Sequence, residues 1–240
     1  MRERAGGSHD YNPPTDRPFA GASMSAVLHY IYDPLCGWCY GAEPLAAAAR
    51  DVEGLELRMH AGGLWPEPTS LPDETRRYIR DADGRVAALS GQPYGKAYLD
   101  GLILDPSLVL HSPPTIAAVL AAESLEPGCG FDMLRGIQHA HYEDGGHVVR
   151  TETLLDIAER LGFDREAFAE ALVSVPVDEH IHETRKLMAQ VGARGFPTFV
   201  LEIDGQLFGV PHHRFASSPA AFAAWLREVI DARSGKPMKV

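Results

Sequence analysis

Cys36-Gly37-Trp38-Cys39 stands where a strand pattern gives way to a helix pattern, and that position decides how the chain is read. Upstream, Val27 to Tyr32 is a short run of apolar, β-branched and aromatic residues, as a strand requires. Downstream, from Tyr40 to Arg50, leucine and alanine dominate and helix propensity is high. Thiols in the first turn of a helix meet unpaired backbone N–H groups and the positive end of the helix dipole, and both favour thiolate over thiol. The thiolate is the nucleophile. A free thiol ionises at about pH 8.5, whereas such surroundings lower the value to roughly 3.5–7.5. The pair therefore reads as a reactive dithiol with Cys36 as the favoured thiolate, able to attack a disulfide and then release the mixed intermediate.

C-x-x-C also forms half of a zinc site, which wants four Cys or His ligands. One other cysteine exists, Cys129, so zinc would have to recruit from the 11 histidines. No second C-x-x-C and no H-x₃₋₅-H spacing stands near Cys129, and His139 and His141 lie on different faces of a helix. The strand–CxxC–helix context is the redox one, so no metal is expected.

At 240 residues the chain fits a core domain carrying a large insertion. A formal charge of −11 argues against nucleic acid, which wants a basic stripe. Three cysteines do not make a disulfide scaffold. The first 24 residues are polar and rich in Pro and Gly, without the apolar core of a secretory signal, and Met24 is an alternative start. There is no 18-residue apolar run, so no membrane span is expected and the protein is read as cytoplasmic.

The elements follow in order. The first strand, Ala26 to Tyr32, ends at Asp33-Pro34, and the helix after it contains Pro44, which removes a backbone donor and is expected to kink it. Leu55, Leu57 and Met59 alternate with Glu56, Arg58 and His60, a second strand with one buried face. From Thr69 to Pro176 the chain reads as successive helices: Thr115–Glu126, Phe131–Tyr142, one capped by Thr151 and one by Asp164. A further helix, Asp178 to Val191, stops at Gly192. Pro197–Ile203 and Gln206–Val210 flank Asp204-Gly205, the strongest short-range hairpin signal. Ser218-Pro219 opens a last helix with Phe222, Trp225, Leu226, Val229 and Ile230 on one face.

Gly195-Phe196-Pro197-Thr198 opens that hairpin. A proline at a strand start ordinarily marks an edge or first position. Taken with the CxxC and the element order, it resembles the cis-proline loop of the thioredoxin superfamily, in its DsbA-like branch. Tyr32-Asp33-Pro34-Leu35-Cys36-Gly37-Trp38-Cys39-Tyr40 is most similar to the FrnE-like, protein-disulfide-isomerase group. The resemblance spans residues 26 to 230. It implies an α/β thioredoxin-like fold, a central β-sheet flanked by helices, with a large all-α insertion. The expected division is a disordered tail at 1–24, a thioredoxin-like domain from 25–64 and 177–232, an inserted helical domain at 65–176, and a tail at 233–240.

The resemblance also implies roles. Cys36 is the exposed attacking thiolate, and Cys39 the buried resolving thiol. Pro197 is cis, and its loop packs beside the cysteines. Phe196 offers its backbone to an extended substrate segment, and Gly37 and Trp38 tune the thiolate and meet substrate. The partners are protein or peptide thiols and disulfides, and no cofactor is expected beyond the dithiol itself, with glutathione or another thiol as co-substrate. A cytoplasmic setting is reducing, which shifts the expectation from forming disulfides toward isomerising or reducing them. Gly37 stands where the family commonly has proline, so the potential does not carry over.

Other residues receive plainer readings. Cys129 is expected to be a buried, inert thiol. His29 is either a hydrogen-bonded core histidine or a proton shuttle near Cys39. His212-His213 form a surface pair, and Trp65 packs in the core or lines the interdomain groove. Glu143-Asp144 and Asp178-Glu179 are solvated helix ends. Two other functions compete with disulfide chemistry. One is a glutathione-dependent enzyme of the kappa transferase or hydroxychromene-carboxylate isomerase type, which generally carries a single serine or cysteine where this chain has two thiols. The other is a non-catalytic zinc-binding or chaperone-like module.

Overall fold

The computed structural model describes residues 26–233. The expected N-terminal tail, the alternative start at Met24 and residues 234–240 lie outside the described residues.

Strand β1 (Ala26–Tyr32) occupies the middle of a four-stranded sheet. It pairs in parallel with β2 (Leu55–Ala61), from Ala26 opposite Leu55 to Tyr32 opposite Ala61. On its other side it pairs antiparallel with β5 (Thr198–Ile203), which pairs antiparallel with β6 (Gln206–Gly209). All seven residues of β1 are buried, so it shows the continuous apolar run of a strand covered on both faces rather than an alternation. Asp204 (φ 50°) and Gly205 (φ 78°) both adopt the left-handed backbone that a two-residue hairpin turn requires.

Helix α1 (Gly37–Arg50) follows β1 and continues through Pro44 as one element. α8 (Pro219–Arg233) packs beside α1, with Phe222 and Leu226 buried and Trp225, Val229 and Ile230 half-buried, the face expected from the sequence. Tyr30 stacks on Phe199 across the β1–β5 pair, with ring centroids 4.6 Å apart, and Phe199 meets Phe222 at 5.7 Å. α7 (Val177–Val191) packs on β2 and ends at Gly192 in the left-handed region.

Between β2 and α7 lie α2 (Asp73–Ser90), a π turn at Ala97–Gly101, a 3₁₀ turn at Leu102–Leu104, and four helices. These are α3 (Ser112–Leu125), α4 (Gly130–Tyr142), α5 (Thr151–Arg160) and α6 (Arg165–Ser174). The expectation of an all-α insertion needs a correction. β3 (Thr69–Ser70) and β4 (Val109–Leu110) form a separate two-stranded ladder inside it, too short to leave any periodicity in the sequence. Cap assignments divide. Asp164 accepts from Ala167 N at 2.9 Å as expected, but Thr151 is already the first helical residue and Arg150 precedes it without a side-chain bond. Among the described residues a continuous cluster of buried apolar side chains joins β1, α1 and α8 to α3, α4 and α5, so sheet and insertion share a core.

Candidate active site

Asp33-Pro34-Leu35-Cys36 makes the turn that delivers the dithiol. Cys36 N donates to Asp33 O at 3.2 Å, with proline at the second turn position, where its fixed φ is favoured. Cys36 is the N-cap of α1, and its carbonyl receives Tyr40 N at 3.0 Å while its side chain caps nothing. The thiol is thereby left free to face the neighbouring loop. Cys36 Sγ lies 3.7 Å from Phe196 O, and the Phe196–Pro197 peptide is cis. The two sequence signals, 160 residues apart, thus meet at one point.

Both thiols are free, and they differ in surroundings. Cys39 is 0% exposed, accepts from Asp33 N at 3.4 Å, and is pushed well above the ordinary thiol range by burial and by Cys36 beside it. Cys36 is 7% exposed. Cys36 is thus less deeply buried than Cys39, but it is not the exposed thiol expected. Trp38, between them, is 49% exposed.

Asp33 organises the floor. Its Oδ1 accepts from Leu35 N at 2.9 Å and its Oδ2 from Leu64 N at 2.7 Å. Full burial raises its carboxyl above the usual range, and these amide donors pull it back toward the charged form. Tyr30 OH donates to Cys39 O at 3.0 Å. Phe196 packs its ring so closely on Gly62 that a Cβ there would lie 2.4 Å away, and the Arg185 guanidinium sits over that ring, 5.3 Å from its centroid.

The insertion contacts the same loop from the opposite side. Tyr94 OH donates to Gly37 O at 2.8 Å, and Tyr40 OH donates toward Glu143 Oε1 and Pro93 O, each at 2.8 Å. Tyr40 stacks flat on Tyr142 at 4.8 Å. Glu143 is therefore a partner of the helix that carries the dithiol rather than a solvated helix end, because α4 delivers its C-terminus against Tyr40. Asp83, on α2, lies against Gly37 with its Oδ2 accepting from Tyr98 OH at 2.6 Å. Beside Trp38 and Pro197 opens a small apolar groove of ≈ 140 Å³, lined also by Leu45, Val86, Leu89 and His212.

Other residues fall into place. His29 bonds His60 and Glu202, each at 2.9 Å, which is the core-histidine reading. His139 is exposed near Glu143 and Asp144, whereas His141 is buried against Tyr98. Cys129 is half-buried rather than buried, because it caps the start of α4; partial burial and the nearby Glu126 and Asp132 push its thiol up, away from reactivity. His212 and His213 form the expected pair, with ring centroids 6.1 Å apart, and both line the groove, where His212 also packs on Phe199. Trp65 packs on the shared core, its backbone bonded to Ser112. Among the described residues no group of three or more His, Cys, Asp or Glu is placed to hold a metal ion.

Sequence reasoning missed Asp83, Tyr94, Tyr98 and the structural part of Asp33. A signal existed for one of them. Ile79, Asp83, Val86 and Ser90 recur at helical spacing, so Asp83 interrupts the inward face of α2.

Residues 27–218 match the family described as DSBA-like thioredoxin domain. No match was found among curated proteins. Among solved structures, the cytosolic disulfide reductase DsbM from Pseudomonas aeruginosa is 45% identical, covering 86% of this chain and 99% of that one, with TM-score 0.80. The same protein with GSH aligns at 42% identity over 85% and 98% of the two chains, with TM-score 0.77. A candidate protein disulfide isomerase from Nitrosomonas europaea shares the fold at 23% identity, covering 87% and 98%, with TM-score 0.74.

Proposed function

The chain belongs to the DSBA-like thioredoxin domain family and is a thiol–disulfide oxidoreductase, and from that premise we propose that its Cys36–Cys39 dithiol reduces protein or peptide disulfides, with glutathione or another thiol resetting it. The observation that carries the reading is the meeting of Cys36, with Cys39 buried beside it, and the cis Phe196–Pro197 loop, Cys36 Sγ lying 3.7 Å from Phe196 O. The neighbouring DsbM, a cytosolic disulfide reductase also solved with GSH, supports the reducing direction, glutathione as the small thiol and a cytoplasmic setting.

In this mechanism the Cys36 thiolate attacks one sulfur of a substrate disulfide. An S–S bond forms to Cys36, the substrate S–S bond breaks, and the other substrate sulfur leaves as a thiolate that takes a proton from water. Cys39 then loses its proton and attacks Cys36 Sγ, releasing the second substrate thiol and closing the Cys36–Cys39 disulfide. Two electrons have passed to the substrate. Two glutathione molecules return them and leave as glutathione disulfide. The high barrier to ionising Cys39, buried beside Cys36, keeps it a thiol until the mixed disulfide draws it in. Phe196 and Pro197 offer backbone to the substrate segment, and Trp38 offers the exposed apolar face beside the groove.

A redox titration in glutathione buffers, followed through Trp38 fluorescence, tests this. The expected couple is reversible, two-electron and near roughly −270 mV; a value near about −120 to −180 mV would reassign the protein as an oxidant or isomerase. Cys36→Ser should abolish turnover, and Cys39→Ser should trap a covalent substrate complex visible on a non-reducing gel. No reversible couple and no trapped complex would sink the reading.

A further inference from the structure

Gly37 presents no side chain to α2, and Asp83 fills the space. A Cβ on Gly37 would lie 1.9 Å from Asp83 Oδ1 and 2.8 Å from its Cγ, so the carboxyl rests against the residue that follows Cys36. Asp83 is 4% exposed. Tyr98 OH donates to its Oδ2, and among the described residues no basic side chain forms an ion pair with it; Arg80, one turn earlier, points to Asp100. Burying a carboxyl on this face costs free energy that an apolar side chain there would not.

Every element around it contributes titratable groups. α1 brings Cys36, Cys39 and Tyr40, the last bonded to Glu143 of α4. The segment from α2 to the π turn brings Tyr94 and Tyr98, and α4 brings His141 and Tyr142. Burial holds Tyr94, Tyr98 and Tyr142 above the phenol range and pushes His141 down to about 4, so these four keep one charge state across neutral pH. Burial raises the Asp83 carboxyl to about 6, with the Tyr98 bond opposing.

We propose that Asp83 is a proton-linked positioning residue for the dithiol: its carboxyl, held by Tyr98 against Gly37, sets the balance between the thiolate and disulfide forms of Cys36. The inference rests on Cys36–Cys39 being the reactive couple. A carboxylate in a poorly solvated layer beside Cys36 disfavours a second negative charge there. Ionised Asp83 therefore destabilises the reduced, thiolate form relative to the disulfide. When the dithiol gives two electrons to a substrate disulfide, the thiolate charge leaves with the substrate and the repulsion is relieved. The protein is a stronger reductant with Asp83 ionised, and loses that push when the carboxyl takes a proton.

The test equilibrates the full-length wild type and Asp83→Asn in glutathione buffers at about pH 8 and about pH 5, chosen on either side of the carboxyl's titration. The dithiol fraction is read by thiol trapping. At the higher pH the variant should lie about tenfold further toward the dithiol, roughly 30 mV for a two-electron couple. At the lower pH the two proteins should agree within about twofold, since the wild-type carboxyl is then neutral. Alkylation of Cys36 should quicken in the variant at the higher pH alone. Asp83→Ala, which removes the charge without adding an amide, should shift the equilibrium the same way. No shift, or an equal shift at both pH values, overturns the proposal. A wild type without any reversible couple overturns the dithiol reading itself.

Discussion

The dithiol loop is held from two sides that use different chemistry. The sheet side meets the thiols through main-chain atoms: Asp33 N meets Cys39 Sγ, and Phe196 O meets Cys36 Sγ. The insertion side works through side chains: Tyr94 on Gly37 O, Asp83 against Gly37 Cα, and Tyr40 tied to Glu143. Main-chain contacts depend on where strands and turns run, so any sequence with this fold can supply them. Side-chain contacts depend on which residues the helices carry, so the insertion is where this chain adjusts its own chemistry. On the function proposed above, the sheet side builds the couple and the insertion side tunes it.

That contrast can be broken from either end. The largest effect is expected on the sheet side. Asp33→Ala strands the buried amide of Leu35 and the part-buried amide of Leu64, each worth about 1–3 kcal/mol when unpaired. Urea unfolding should show a loss near about 4 kcal/mol, and a loss under about 1 kcal/mol would remove Asp33 as the organiser of the floor.

Next comes Asp83→Asn, with the opposite sign. The folded carboxyl titrates at about 6, above its ordinary 3.8. The stability associated with the neutral form is fully present below the ordinary value and is lost as pH rises through about 6. The amide escapes that loss. The variant should be more stable than wild type at neutral pH by an amount on the order of 3 kcal/mol, and the advantage should vanish in acid. Unfolding midpoints measured across pH check this, and an advantage that does not change with pH would exclude titration of Asp83 as its source.

Gly37→Ala drives a methyl into Asp83 Oδ1 and should cost about 2 kcal/mol, as overpacking does. A double-mutant cycle sharpens the point, because Gly37→Ala combined with Asp83→Ala should recover most of the loss. Strict additivity would mean the two residues do not share the space. The smallest effect is expected from Tyr94→Phe, which deletes one hydrogen bond to Gly37 O. Its stability should fall by about 1 kcal/mol while Trp38 fluorescence reports any change in the couple.

The sheet side was largely legible in the sequence. β1 is a dense apolar run, Asp204-Gly205 is a two-residue turn with a defined backbone, and CxxC and Gly-Phe-Pro-Thr are short motifs whose meaning is local. The insertion side was legible only as helices. Its β3–β4 ladder is two residues long on each strand, and nothing local marks it. Glu143 looked like a solvated helix end because only the packing of α4 on α1 brings it to Tyr40. Asp83 shares the inward face of α2 with Ile79 and Val86, but its neighbour Gly37 lies 46 positions away and the contact belongs to the approach of two helices.

By itself the sequence determined the strand–CxxC–helix unit, the proline loop, the closing hairpin and helix, and hence the family and its thiol–disulfide chemistry, because each rests on residues close enough in the chain to fix one another's conformation. Tertiary structure alone decided that Cys36 is covered rather than exposed, that its thiol faces Phe196 O, and that a buried carboxylate rests against the glycine between the thiols. Exposure, electrostatic neighbours and the space left by a missing side chain are properties of what folds against a residue, and no local pattern encodes them.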